Sequence, residues 1–402
     1  MVKTFLSILA LSLTLSLLSI SVVTSGIHGF RSSKGLQSRT LARSPRSGAH
    51  ESFRRVAANL SRRNQGSKNE GEGNGSQDRT GFIKGVNVPW GNGPYGHWLS
   101  KGLVGNWEAE FKRFDLISTL QAAKETGSTW VRIWIFEGGQ GLKVDEEGRV
   151  ISLNQDLFQN LDYLFHQAES LGLEIFPTLF SEYPGTRLFP VSDFLADQQA
   201  NVMMMENAVK PFLDRYGGRI TALELWNELD QYGNSNYYST TLKSSGDRIP
   251  DWVKTTTETV KSLRPDLNVT VSQIYSLQAS SSSNSYFQGL GLDFYTFHFY
   301  PDSVGVAEQL VPSSQLGLDR PVLIGEFGSK YDASLEDQVD LVRSVLQSAR
   351  SNGYMGALSW LLGTPGQRQA DCQDTNGDGQ GSQNLLDCRG GKGPVFQAFK
   401  ES

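Results

Sequence analysis

From Gly81 onward the apolar residues fall into two alternating patterns. Short, nearly continuous apolar runs recur at 82–88, 130–136, 173–179, 222–226, 269–274, 292–298, 322–326 and 357–361. Runs of this length read as strands buried on both faces, as in a parallel sheet. Between them lie stretches with apolar residues three and four apart, at 116–126, 157–171, 198–216, 251–263 and 335–352. In the last of these, Val339, Leu341, Val342 and Val345 line one helical face, and Gly172, Gly217 and Gly353 stand where helices should stop. Strands alternating with helices predict parallel βαβ units. Eight in succession predict an α/β fold closed into a (β/α)8 TIM barrel rather than an open sheet. An open doubly wound sheet would carry a Gly-rich phosphate turn after its first strand, and 89–98 lacks that spacing.

A barrel of this kind places its chemistry at the C-terminal strand ends. The polar and aromatic residues predicted there are Asn87 and Trp90, then Arg132, Trp134 and Glu137, then Asn227 and Glu228, then His298 and Tyr300, then Glu326, and last Trp360. Glu228 and Glu326 each end an apolar run, and two such carboxyls suggest glycosidic bond cleavage. In the retaining form of that chemistry the groups stand about 5–5.5 Å apart, one protonated to assist the leaving oxygen and the other ionised to attack. A neighbouring Arg or Tyr favours the ionised partner, while proximity raises the other. Asn227 suits a sugar 2-hydroxyl, and Trp360 offers an apolar platform to a sugar face.

The segments Trp226-Asn227-Glu228 and Gly325-Glu326-Phe327-Gly328, with Arg132, His298-Phe299-Tyr300 and Trp360, resemble the clan A glycoside hydrolases, family 5 and its relatives in particular. The resemblance spans 81–402. It implies a (β/α)8 barrel, with Glu228 as acid/base and Glu326 as nucleophile. It also implies that Arg132 and Tyr300 orient the nucleophile and that His298 sits near the acid/base. Two places depart from the family pattern: Phe180-Ser181-Glu182-Tyr183-Pro184 stands where a His is usual after the third strand, and Leu229 where a Pro often follows the Asn-Glu pair. Asn87, Trp90, Arg132, Asn227, His298, Tyr300 and Trp360 are the expected substrate-binding set. The resemblance favours β-mannan or β-glucan as substrate.

Composition sets the surroundings. Lys3 precedes an apolar, Ser-dotted run from Phe5 to about Val23, then small residues, so 1–25 reads as a secretory signal and the product as extracellular or periplasmic. An uncleaved anchor is the alternative, with no stable membrane partner expected once a signal is removed. Residues 26–80 are poor in apolar side chains and carry a net charge of about +7, which predicts a disordered basic linker or pro-segment. The remainder is acidic, without a basic patch, which argues against a nucleic-acid partner. The only cysteines, Cys372 and Cys388, suggest one loop-closing disulfide. Asp374, Asn376 and Asp378 resemble the start of a calcium loop, but Leu385 occupies the position of its last acidic ligand; the segment reads as a Gly/Asp surface loop, or as a calcium site that would stiffen the rim rather than take part in the chemistry. Trp90, Tyr95, Trp98 and Trp107 either line a glycan groove or pack their loop onto the barrel. Trp134 and Trp226 read as packing, as does the Met203–Met205 cluster.

The expectation is a monomeric, cofactor-free, secreted retaining β-glycoside hydrolase acting on a polysaccharide or oligosaccharide. The polar, Tyr-rich loop 230–249 would extend a cleft for endo action or close an exo pocket. Two alternatives are a catalytically silent glycan-binding barrel and a metal-assisted hydrolase. The second would need ligand clusters that five histidines do not supply.

Overall fold

The computed structural model describes residues 81–90, 98–103, 113–182, 184–232, 248–274, 287–301, 310–329, 333–363 and 383–402. Strands β1 (Ile83–Asn87), β2 (Trp130–Trp134), β5 (Glu174–Phe180) and β6 (Ala222–Trp226) supply one half of a parallel sheet. The other half is β8 (Ser272–Gln273), β9 (Tyr295–Phe299), β10 (Val322–Phe327) and β11 (Gly356–Ser359). The sheet begins at β7 (Asn268–Thr270), beside β6, and ends at β8, beside β9. Only Val271 separates β7 from β8, so the two ends of the sheet are halves of one strand and the sheet closes on itself. The barrel therefore has eight staves, as the apolar runs predict, with the fifth stave split.

Helices α1 (Arg113–Glu125), α2 (Gln155–Ser170), α5 (Ile249–Leu263) and α6 (Leu335–Ser351) lie where the helical periodicity places them. The predicted helix at 198–216 is α3 (Gln198–Met204) and α4 (Lys210–Tyr216), joined through a π-helical turn at Met205–Val209. Asp197 caps α3 by accepting from the N–H groups of Gln199 and Ala200, and Ser334 caps α6 by accepting from that of Asp337. Gly172 and Gly353 leave their helices with φ of 65° and 73°, the left-handed exit that glycine permits. Gly217 keeps a φ of −57°, so α4 stops without that turn.

Among the described residues, three strands or α-helices were not foreseen. A hairpin of β3 (Leu142–Val144) and β4 (Val150–Leu153) follows β2, and α7 (Pro394–Glu401) closes the chain. Both are too short for periodicity to declare them.

Side chains alternate along each stave. Ile83, Trp130, Phe176, Ala222, Phe294, Leu323, Met355 and Leu358 form one apolar cluster inside the barrel. A far larger cluster fills the space between staves and helices. Two residues past Trp130 and Ala222, the inward positions are Arg132 and Glu224, both wholly buried. The barrel interior thus changes from apolar to charged on the way to its C-terminal mouth. Among the described residues no helix is long and apolar enough to cross a membrane.

Candidate active site

Arg132 organises the mouth. All five of its N–H groups are engaged. Nε and Nη2 donate to the two oxygens of Glu224 at 2.9 and 2.8 Å. Nη1 donates to Asn87 Oδ1 at 2.8 Å and to Glu326 Oε1 at 2.7 Å, and Nη2 also donates to Asn227 Oδ1 at 2.7 Å. Asn87 is equally committed, since its Nδ2 donates to the carbonyls of Gly325 and Ser359. Asn87 and Arg132 were expected among the substrate-binding residues. With every side-chain N–H spent inside the protein, they lie beneath the site and hold its walls.

Glu326 takes a second hydrogen bond on its other oxygen, from the Tyr300 hydroxyl at 2.7 Å. Burial raises its carboxyl above the ordinary value of 4.5, while His298 and Arg132 pull it down and Glu228 pushes it up. Tyr300 is 39% exposed, but its hydroxyl end is buried against Glu326, and that burial with the charge of Glu326 holds its proton well above the ordinary phenol range. Across the site His298 Nδ1 lies 2.6 Å from Glu228 Oε1 and 3.3 Å from Glu326 Oε2. Burial lowers the imidazole to about 4, so the ring is neutral at neutral pH. Burial pushes Glu228 up to about 7, Arg132 draws it down, and Glu224 pushes it up again.

The backbone explains how Glu228 reaches this place. Its φ is 53°, a left-handed conformation rare for a residue with a side chain. Its N–H donates to Ser272 Oγ at 2.8 Å, while the N–H of Asn227 still follows the sheet to Phe180 O at 2.8 Å. The stave thus ends at Asn227, and the next residue is turned across the mouth. Because Asn227 Oδ1 is occupied by Arg132, its amide presents Nδ2 as the free donor. Gly325 leaves room opposite: a Cβ there would stand 2.4 Å from Thr296 Cγ2 and 3.5 Å from His298 Nε2.

Trp90, Trp134 and Trp360 pack as a trio with ring centroids 5.4–5.6 Å apart. Trp90 and Trp360 are half-buried, and Trp134 is buried beneath them. Trp90 Nε1 donates to Glu137 Oε2 at 2.8 Å. Glu137, buried and close enough to Glu182 to feel its charge, is pushed up to about 8. Glu182 follows the third stave, and burial raises it too. Trp98 is buried and donates to Pro89 O, so it packs its loop onto the barrel. Trp226 is core, surrounded by Phe180, Phe194 and Trp252. Cys388 is buried. Its expected partner Cys372, the calcium candidates Asp374, Asn376 and Asp378, and Tyr95 and Trp107 lie outside the described residues.

Glu228, His298 and Glu326 offer donor atoms all within 4.8 Å of one another, the one such trio among the described residues. A cation seated on all three would neutralise both carboxyls. The same closeness suits two carboxyls acting on one bond.

Glu224 and Ser272 belong to the site without any mark in the sequence. Glu224 lies inside an apolar run and Ser272 inside a strand, and neither position carries a pattern that announces a partner far along the chain.

No family model matches the chain. A mannan endo-1,4-beta-mannosidase of Cryptopygus antarcticus is 26% identical over 362 residues, covering 78% of this chain and 88% of that protein. The chain is thus similar to β-mannanases over most of its length. Its fold is shared with solved structures of this kind. The endo-1,4-beta-mannanase of Eisenia fetida superposes with a TM-score of 0.54 at 20% identity, covering 79% of this chain and 95% of the other. A glycoside hydrolase family 5 mannosidase of Rhizomucor miehei superposes with a TM-score of 0.51 at 14% identity, covering 80% and 92%.

Proposed function

We propose that this protein cleaves β-1,4-linked mannan by double displacement with retention, with Glu326 as nucleophile and Glu228 as acid/base. The observation that carries the reading is the unequal setting of two neighbouring carboxyls. Glu326 receives hydrogen bonds on both oxygens from Arg132 and Tyr300, which favours its ionised form. Glu228 receives none from a cation and is raised by burial, which favours its protonated form. In the first step Glu326 attacks the anomeric carbon and Glu228 gives its proton to the departing glycosidic oxygen. In the second, Glu228 takes a proton from water, which displaces Glu326 and releases the sugar. Asn227 Nδ2 would bind the 2-hydroxyl, and the exposed edges of Trp90 and Trp360 would form the platform for the sugar ring. Mannan is supported by the mannan-degrading relatives.

Reducing-sugar release on β-mannan, β-glucan, xylan and galactan tests this, with Glu326→Gln as the comparison. Release on mannan that falls at least 1,000-fold in the variant is expected. Full activity in that variant would remove Glu326 as nucleophile. Analysis of the products decides endo against exo action. We further read the protein as secreted, on the strength of the charged and apolar start of the chain. N-terminal sequencing of exported protein should find a new terminus near residue 26.

A further inference from the structure

We propose that Glu224 is a positioning residue of the reaction: it grips Arg132 by two N–H groups and offsets the charge that Arg132 would otherwise turn on Glu228. The inference rests on the double displacement read above.

A guanidinium is planar, so fixing one edge fixes the directions of the remaining N–H groups. Glu224 takes the Nε and Nη2 edge with both carboxylate oxygens, at 2.9 and 2.8 Å. That leaves Nη1 directed at Glu326 Oε1 and the second hydrogen of Nη2 at Asn227 Oδ1. Through one wholly buried side chain, Glu224 therefore sets both the nucleophile and the amide beside the acid. It does so without touching either, and without reaching the mouth, since it is 0% exposed.

Its charge matters as much as its grip. Arg132 carries one positive charge between two carboxylates, Glu224 and Glu326. Among the described residues, the ionisable groups that act on Glu228 are His298, Glu326, Tyr300, Arg132 and Glu224, from β9 and the residue after it, β10, β2 and β6. His298 is neutral at working pH and Tyr300 keeps its proton. The charges that act on Glu228 are then Arg132, Glu326 and Glu224. Without Glu224, Arg132 would face only Glu326, and Glu228 would lose its proton more readily. Stability alone does not call for a carboxylate here, since a buried ion pair can often be replaced by apolar packing without loss.

Full-length Glu224→Gln and Glu224→Asp test the proposal. The pH profile of kcat/KM is measured on the polymer that the wild type degrades. It is measured again on a dinitrophenyl glycoside of the same sugar, whose leaving group needs no proton. Glu224→Gln should move the basic limb on the polymer down by about one pH unit. Its turnover near neutral pH should fall more on the polymer than on the dinitrophenyl glycoside. Glu224→Asp keeps the charge and shortens the reach, so it should lower kcat while leaving the basic limb in place. An unmoved limb in a folded Glu224→Gln, with equal losses on both substrates, would make Glu224 a structural residue only. If circular dichroism shows that Glu224→Gln does not fold, Glu224→Asp decides: a displaced limb with the charge retained overturns the proposal. A wild type silent on every glycan would overturn the hydrolase reading and this inference with it.

Discussion

Each ionisable side chain at the mouth is set by its immediate partners, and pH dependence follows from them. Glu228 must be protonated to assist departure, and burial holds it near 7. Activity should therefore fall as pH rises through about 7. Glu326 must be ionised, and burial raises it above 4.5, so activity should also fall on the acid side, beginning above that value. The two carboxyls are coupled, so the bell belongs to the pair. A kcat/KM profile that stays flat from pH 6 to 9 would contradict the assignment of Glu228 as acid. The residue types Glu228, Glu326, Arg132, His298 and Tyr300 were legible because each stands at or near an apolar run. Their division of labour was not. Asn87 and Arg132 proved to be fully bonded inside the protein, a fact that depends on Gly325, Ser359 and Glu224 from three other staves.

At the scale of elements, the site depends on how strands end. Stave four stops at Asn227 and Glu228 turns back, held by Ser272 on the second half of the split fifth stave. Ser272→Ala should cost the fold only about 1 kcal/mol, the worth of one hydrogen bond, yet lower kcat about tenfold by loosening Glu228. Unfolding midpoints and kcat measured on the same preparation would separate the two effects. Gly325→Ala should act the other way round. Its Cβ would press into Thr296 at 2.4 Å, so a loss of about 1–3 kcal/mol in chemical denaturation is expected before any catalytic effect. The split of the fifth stave was invisible in the run 269–274, because apolar continuity does not reveal which neighbour each residue pairs with. The β3–β4 hairpin and α7 escaped notice because each offers too few residues for a period to emerge.

Across the whole molecule, the end opposite the site closes by different means. Lys84 on β1 is buried; it donates to the Lys400 carbonyl of α7 and lies over the Phe399 ring. Burial, followed by the charge of Arg350, lowers its amine from 10.5 to about 8. Between those values the unfolded chain holds the proton that the folded chain has released, so this residue's contribution to stability rises with pH over that window. Relative to Lys84→Met, the wild type should gain on the order of 1–3 kcal/mol between pH 7 and pH 10 in urea unfolding. An unchanged difference would mean that Lys84 keeps its charge in the fold. The sequence by itself determined the eight staves, most of the helices and the two candidate carboxyls, because burial on both faces and helical periodicity are local patterns. Only the tertiary structure decided where the barrel closes, which carboxyl is cushioned by a cation, and that Glu224 and Ser272 belong to the site. Those outcomes depend on hydrogen bonds between staves tens of residues apart, and on burial that shifts a carboxyl only once the other staves have shut water out.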